Sequence, residues 1–197
     1  MAGGCAARAG GLVKVGVWGD DVRLGVGLGP GGLGALQLAR AMGANKLIGV
    51  EPSPKRRALA ETLGLADVTL APGDGALNEI LALAGGNGVE KAVDTSASDL
   101  GRQLAIRATR PFGKIALVGE GGTVAFNPSP DLIHGQKTIY GSWVTSIWRM
   151  EELVERIVRW GIHPDRLVTD RFPLERAAEA YALMAAGDSG KVAVVFD

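Results

Sequence analysis

The sequence predicts an α/β protein: a doubly wound parallel sheet with helices on both faces, followed by a C-terminal strand-helix-strand. Three observations carry this. From Val22 onward, short runs rich in Val, Ile and Leu alternate with longer Ala/Leu-rich stretches of helical period. The boundaries are punctuated, most clearly by Ser53 and Pro54 before one helix and Gly64 after it. Finally, Val22 to Leu36 reads as an apolar strand, a glycine turn and the opening of a helix, with Gly27, Gly29 and Gly32 in the spacing G-x-G-x-x-G.

That turn has specific physics. Gly27 lets the chain reverse tightly, Gly29 lets the backbone approach a pyrophosphate with no Cβ in the way, and Gly32 lets helix and strand pack closely. The free N–H groups and positive dipole end of the helix then face the anion. In a chain with 30 glycines the spacing alone is weak, so its context matters. A strand precedes it and a helix follows. The next strand, Lys46 to Val50, ends at Glu51, 22 residues beyond Gly29, where an acid is expected to meet a ribose. The turn therefore points to a Rossmann-type dinucleotide site rather than a purely structural bend.

The remaining elements follow in order. The first helix after the turn spans about Gly31 to Met42 and the second Lys55 to Leu63. Asp67 to Leu70 is a short strand, Ala76 to Ala84 a helix, Lys91 to Asp94 a strand and Leu100 to Thr109 a helix. Lys114 to Val118 is a fifth strand ending at Gly119. A loop-rich stretch from Glu120 to Gln136 leads to a sixth strand, Thr138 to Tyr140. Met150 to Trp160 is helical, and the tail reads strand (Leu167 to Arg171), helix (Leu174 to Ala186), strand (Lys191 to Phe196). Before Val22 the chain is poorly punctuated, and Ala6 to Val17 is compatible with a short helix and a turn. The expected divisions are a 1–21 N-terminal segment, a 22–166 nucleotide-binding domain and the 167–197 strand-helix-strand.

Composition narrows the function. The 197 residues carry 21 basic and 21 acidic side chains, so charge does not favour nucleic acid. The lone Cys5 permits no intrachain disulfide. No apolar run reaches membrane-spanning length, and the first residues lack the regions of a signal peptide. The expectation is a soluble, cytoplasmic protein.

Together these residues resemble the medium-chain (zinc-type) alcohol dehydrogenase superfamily over nearly the whole chain. The carriers are Gly27-Leu28-Gly29-Pro30-Gly31-Gly32-Leu33, Ile48 to Glu51, Val93-Asp94-Thr95-Ser96, Gly113 to Gly119, Lys137 to Ser142, and Leu174 to Ala177 with Gly190 to Phe196. Gly31 departs from the family pattern, which usually has Val or a similar residue. The resemblance implies nicotinamide cofactor binding through Gly27, Leu28, Gly29, Pro30, Gly31, Glu51, Arg56, Ser96 and Gly119. Glu51 would favour NAD over NADP, because a 2′-phosphate would meet a carboxylate. Lys55, Arg56 and Arg57 complicate that preference, since a cation there tolerates the phosphate; Arg56 is the one at the family's spacing for the adenosine side. Ser96, Val118 and Gly119 would line the nicotinamide half.

The resemblance covers the family's second half only. The preceding domain normally brings the metal ligands and proton relay, so the expectation is a truncated chain with no zinc and no nominated catalytic residue. One Cys and two His do not supply the three ligands of a catalytic zinc, and Cys5 reads as a remnant. His134 and His163 read as surface or capping residues, Gly187-Asp188-Ser189-Gly190 as a helix-ending turn, and Asp20/Asp21 as turn residues. Trp143 and Trp148 are expected in a core or an interface. Val192, Val194 and Phe196 would need either the first twenty residues or an oligomer to cover them, and the segment Val124 to Ile133 with the sixth strand suggests a homodimer edge. The implied reaction is hydride transfer between an alcohol or polyol and nicotinamide. The competing readings are a non-catalytic nucleotide-binding module and an S-adenosylmethionine methyltransferase, which the stretch after Gly113 disfavours.

Overall fold

In a computed structural model, Ala2–Val15 forms helix α1 and Val22–Val26 strand β1; then come α2 (Pro30–Ala41), β2 (Lys46–Val50), α3 (Pro54–Thr62) and β3 (Val68–Leu70). The second half of the sheet is built by α4 (Ala76–Leu83), β4 (Val89–Asp94), α5 (Asp99–Ala108), β5 (Thr109–Leu117) and β6 (Thr138–Gly141). The chain closes with α6 (Ile147–Arg159), β7 (Val168–Pro173), α7 (Ala177–Ala186) and β8 (Lys191–Val195). The structure describes residues 2–16, 19 and 21–196, with side chains from Arg8 onward. The side chain of Cys5, and Asp20, lie outside the described residues.

The six strands β1–β6 make one parallel sheet in the order β3-β2-β1-β4-β5-β6. The chain runs outward from β1 to β3, then returns to lay β4 on the other side of β1. The adjoining β1 and β4 ends form the switch point at which such sheets bind ligands. The tail is separate: β7 and β8 pair in parallel as a two-stranded sheet.

Alternation along the strands divides the core. Leu47, Val93 and Ala116 face one side and join the buried residues of α1 and α2, including Leu12, Leu33 and Leu36. Ile48, Ala92 and Ile115 face the other and meet Ile80 of α4 and Ala105 of α5. Each fully buried Leu or Ile contributes roughly 1.5–3 kcal/mol of transfer free energy, so this two-sided burial is the main source of stability. Gly25 faces α2 closely, where a Cβ would stand 3.0 Å from Leu36 Cδ2.

Several expectations are extended or corrected. The N-terminal segment is a 14-residue helix. Among the described residues it packs on α2, α6 and the β4–β6 side of the sheet. Phe196 is exposed. Helix α6 begins a turn earlier than expected, at Ile147, and β5 begins at Thr109, ahead of a register irregularity. The expected tail helix divides into a short turn, Leu174–Arg176, and α7. Asp21 is no turn residue: it is buried and its carboxylate accepts from Arg23 at 2.7 Å. Burial lowers the Arg23 pKa, and the Asp21 charge opposes that. Among the described residues, no helix is long and apolar enough to cross a membrane.

Candidate functional site

The glycine turn joins β1 to α2 at the switch point. Gly27 has φ +84°, and its N–H donates to the Val50 carbonyl, carrying the β1–β2 pairing one step past the strand. A Cβ on Gly27 would lie 2.9 Å from Ser96 Cα, and one on Gly32 only 1.8 Å from the Gly27 carbonyl oxygen. These two glycines are required by the protein itself. Gly29 is different. Its φ of −61° suits any residue, and an added Cβ would meet only the Arg56 guanidinium, at 3.7 Å or more. The space above Gly29 is left open by the fold. Pro30 takes the first helical position of α2, where its missing N–H costs nothing.

Glu51 ends β2 and is 3 % exposed. Its carboxylate accepts the Leu28 N–H at 2.6 Å and the Ser53 N–H at 3.0 Å, and Arg56 Nη1 stands 3.9 Å from it. A carboxylate has about four acceptor sites, so two remain for a ligand. Leu28 is fully buried, with its side chain against Gly49, so only its backbone belongs to the site.

The three cations after Glu51 are all engaged. Lys55 Nζ lies 3.6 Å from Asp188, Arg56 Nε donates to the Ser189 carbonyl at 2.9 Å, and Arg57 Nη1 donates to the carbonyls of Glu51 and Pro52 at 2.6 and 2.8 Å. The helix cap is also tied to the tail: Ser53 Oγ accepts the Arg56 N–H and donates to Asp188 at 2.9 Å. Gly187 does end α7 in the left-handed region, at φ +79°, as a cap turn should. The same turn also docks onto α3, a role its sequence did not announce.

On the other side of the turn, the fully buried Asp94 organises the β4–α5 connection. It accepts the Ser96 and Ala97 N–H groups and the Ser96 hydroxyl, and faces Arg102 Nε at 3.4 Å. Arg102 Nη2 in turn donates to the Gly119 carbonyl at 2.8 Å. The family-like Val93-Asp94-Thr95-Ser96 run does not by itself give Asp94 this role; an acid ending a strand beside a helix-start serine is the signal for it. At the rim, Asp99 accepts from the Thr123 hydroxyl and N–H, and both bonds hold its carboxyl below the usual range.

Between these groups lies a cleft of about 680 Å³ over the ends of β1, β2 and β4. Gly27, Gly29, Glu51, Arg56 and Ser96 line it, with Leu77, Leu100 and Leu104 as apolar wall. Ser96 therefore sits with Glu51. Gly119 packs against the β4–α5 turn that carries Ser96, where a Cβ would reach 2.4 Å from the Ala97 nitrogen and 3.0 Å from the Thr95 carbonyl carbon. Gly31 faces Arg8 of α1. Val118 is buried against Gly11 of α1. His134 and His163 are exposed, as are Trp143 and Trp148, so core packing does not account for either tryptophan.

The geometry fits a dinucleotide: an open floor at Gly29, a helix N-terminus and an acid with spare acceptor capacity. Among the described residues no three Cys, His, Asp or Glu side chains come together.

Comparison with known proteins agrees with this geometry. Residues 30–159 match the family model described as zinc-binding dehydrogenase. The chain is 41 % identical over 186 residues to an uncharacterized zinc-type alcohol dehydrogenase-like protein of Escherichia coli K12, covering 94 % of this chain and 53 % of that protein. It is 32 % identical to the L-threonine 3-dehydrogenase of Pyrococcus horikoshii, covering 84 % of this chain and 49 % of the enzyme. The crystal structure of benzyl alcohol dehydrogenase from Acinetobacter calcoaceticus superposes with a TM-score of 0.88 at 26 % identity, over 99 % of this chain and 55 % of that one. The chain thus spans about half the length of the curated relatives it matches.

Proposed function

The chain belongs to the zinc-binding dehydrogenase family, and on that premise we propose that it is the NAD(H)-binding part of an alcohol dehydrogenase-type oxidoreductase. The observation that carries the proposal is the pairing of Glu51 with an open floor over Gly29. A ribose would lie at Glu51 and donate its hydroxyls to the two unused acceptor sites. The diphosphate would cross Gly29 toward the first turn of α2, where unpaired helix amides and the helix dipole favour an anion. The adenine would lie against the apolar wall of Leu77, Leu100 and Leu104.

The preference for NAD over NADP rests on the same carboxylate. A 2′-phosphate would meet Glu51, and the nearby cations that would offset it are already held by Asp188, Ser189, Glu51 and Pro52. Bound NAD would supply hydride acceptance from an alcohol or polyol, and its reduced form hydride donation to the carbonyl product. This chain's own part is to bind and orient the cofactor.

The edge position of β6 further supports a homodimer joined through Val124 to Ile133 and that strand. A sedimentation equilibrium run at micromolar concentration giving only monomer would overturn the dimer. The central reading is tested by fluorescence titration with NADH and NADPH. Binding of NADH at least tenfold tighter than NADPH is expected; binding of neither would reduce the site to a scaffold.

A further inference from the structure

We propose that Arg8 is a further cofactor-binding residue, a cation on α1 that closes over the first turn of α2 and grips the diphosphate of a bound dinucleotide. The inference rests on the dinucleotide reading above and adds a group that the glycine turn does not announce.

The argument begins at Gly31. A Cβ built there would lie 2.5 Å from Arg8 Nε and Nη2 and 2.7 Å from Cζ. The guanidinium thus fills the volume that a side chain at position 31 would take. Its Nε is shut off from solvent, so the group is seated and not merely trailing over the surface. One turn further along α1, Gly11 packs on Val118 and Ala116, and Gly10 lies against Ser142. Helix α1 lies on the same face of the sheet as α2. The contact at Gly31 sets Arg8 beside the first turn of α2, next to the glycine turn at the carboxyl end of β1, the side of a parallel sheet that receives ligands.

Charge completes the picture. The Arg56 guanidinium stands over Gly29, 3.7–4.0 Å from where its Cβ would be, and the Arg8 guanidinium stands over Gly31. Two arginines from separate helices flank one anion-binding turn. A dinucleotide brings two negative charges there, and a guanidinium meets phosphate oxygens with paired donors. Pro30 gives a further reason. At the first helical position it has no N–H to offer, so α2 presents one donor fewer, and Arg8 supplies donors from outside the helix. The side-chain-free position at residue 31 is the sequence feature that makes room for it.

The test is titration of the full chain and its variants with NADH, ADP-ribose and adenosine. Arg8→Ala is expected to weaken NADH and ADP-ribose about tenfold or more, since a hydrogen-bonded charge is lost. It should leave adenosine unchanged and make NADH affinity less sensitive to salt. Arg8→Lys should recover part of the loss. Gly31→Ala, whose Cβ must push the guanidinium aside, should weaken NADH in the wild-type background but add nothing to Arg8→Ala. Where alanine lowers the thermal midpoint, Arg8→Gln keeps the packing of the stem and answers the same question. Undiminished NADH binding by Arg8→Ala or Arg8→Gln, or additive losses with Gly31→Ala, would overturn the role of Arg8 alone. Failure of the wild type to bind NADH would overturn the dinucleotide reading together with it.

Discussion

The carboxylate of Glu51 accepts the N–H of Leu28 at 2.6 Å, so the acid expected to read a ribose also braces the glycine turn from beneath. Site and fold share one side chain. Glu51→Gln leaves a single acceptor oxygen for the Leu28 and Ser53 amides. A buried N–H left unpaired costs about 1–3 kcal/mol. The variant is therefore expected to unfold at lower urea concentration and to lose most of its preference for NADH over NADPH. Unchanged stability would mean that the brace carries no weight.

The glycines of the turn separate into two kinds. Gly32→Ala forces a Cβ against the Gly27 carbonyl, and overpacking of that severity is expected to destabilise by more than ~2 kcal/mol. Gly29→Ala meets nothing closer than 3.7 Å at ordinary backbone angles, so its melting temperature should stay within a degree or two of wild type. Its NADH affinity should nevertheless fall tenfold or more, because the Cβ projects into the floor of the cleft. Paired melting and titration curves check both halves.

Asp94 and Arg102 hold the β4–α5 turn from inside. Asp94→Ala strands a guanidinium that is 9 % exposed at its side chain and frees the amides of Ser96 and Ala97. Breaking one partner of such a pair costs about 3–5 kcal/mol. Denaturant unfolding should register that loss even with no cofactor present.

Acid sensitivity has a traceable contributor in Asp67. Partial burial raises its carboxyl pKa, but the Leu47 N–H at 2.7 Å and the Arg40 guanidinium at 2.8 Å outweigh that and hold it below the usual carboxylate range. A pKa lowered by folding contributes stability that is complete above the unfolded value, near pH ~4, and is lost as pH falls through the folded one. The side chain is 41 % exposed, so solvent screening limits the contribution to about 1 kcal/mol or less. Asp67→Asn should be less stable than wild type at pH 7, and the gap should close as pH falls through the lowered folded pKa of Asp67. A gap that persists in acid would count against the ion pair.

How much of this was legible in the sequence depended on the range of the interaction. The Gly27–Gly32 turn, the Ser53 cap and the acid at Glu51 are local patterns, and local backbone physics suffices to read them. The strand boundaries at β5 and β7 drifted because Thr109 and Pro173 are recruited by neighbouring strands rather than by their own propensity. Asp94, Asp188 and Arg8 were invisible as site residues for one reason. Their partners, Arg102, Ser53 and Gly31, come from other elements, and no spacing rule links an acid at 188 to a serine 135 residues earlier.

That last pair yields the sharpest test of cofactor choice. Asp188 accepts from Ser53 and faces Lys55 at 3.6 Å, so it holds a hydroxyl and an ammonium that would otherwise be available beside Glu51. It also adds a second negative charge to the edge where a 2′-phosphate would lie. Asp188→Ala removes that charge and releases Lys55, which is 73 % exposed at its side chain and free to swing. NADPH affinity should rise several-fold while NADH affinity changes little, and raising the salt concentration should diminish the gain. An equal change for both cofactors would mean that Asp188 only anchors the tail to α3; a rise confined to NADPH would make it a determinant of specificity acting alongside Glu51.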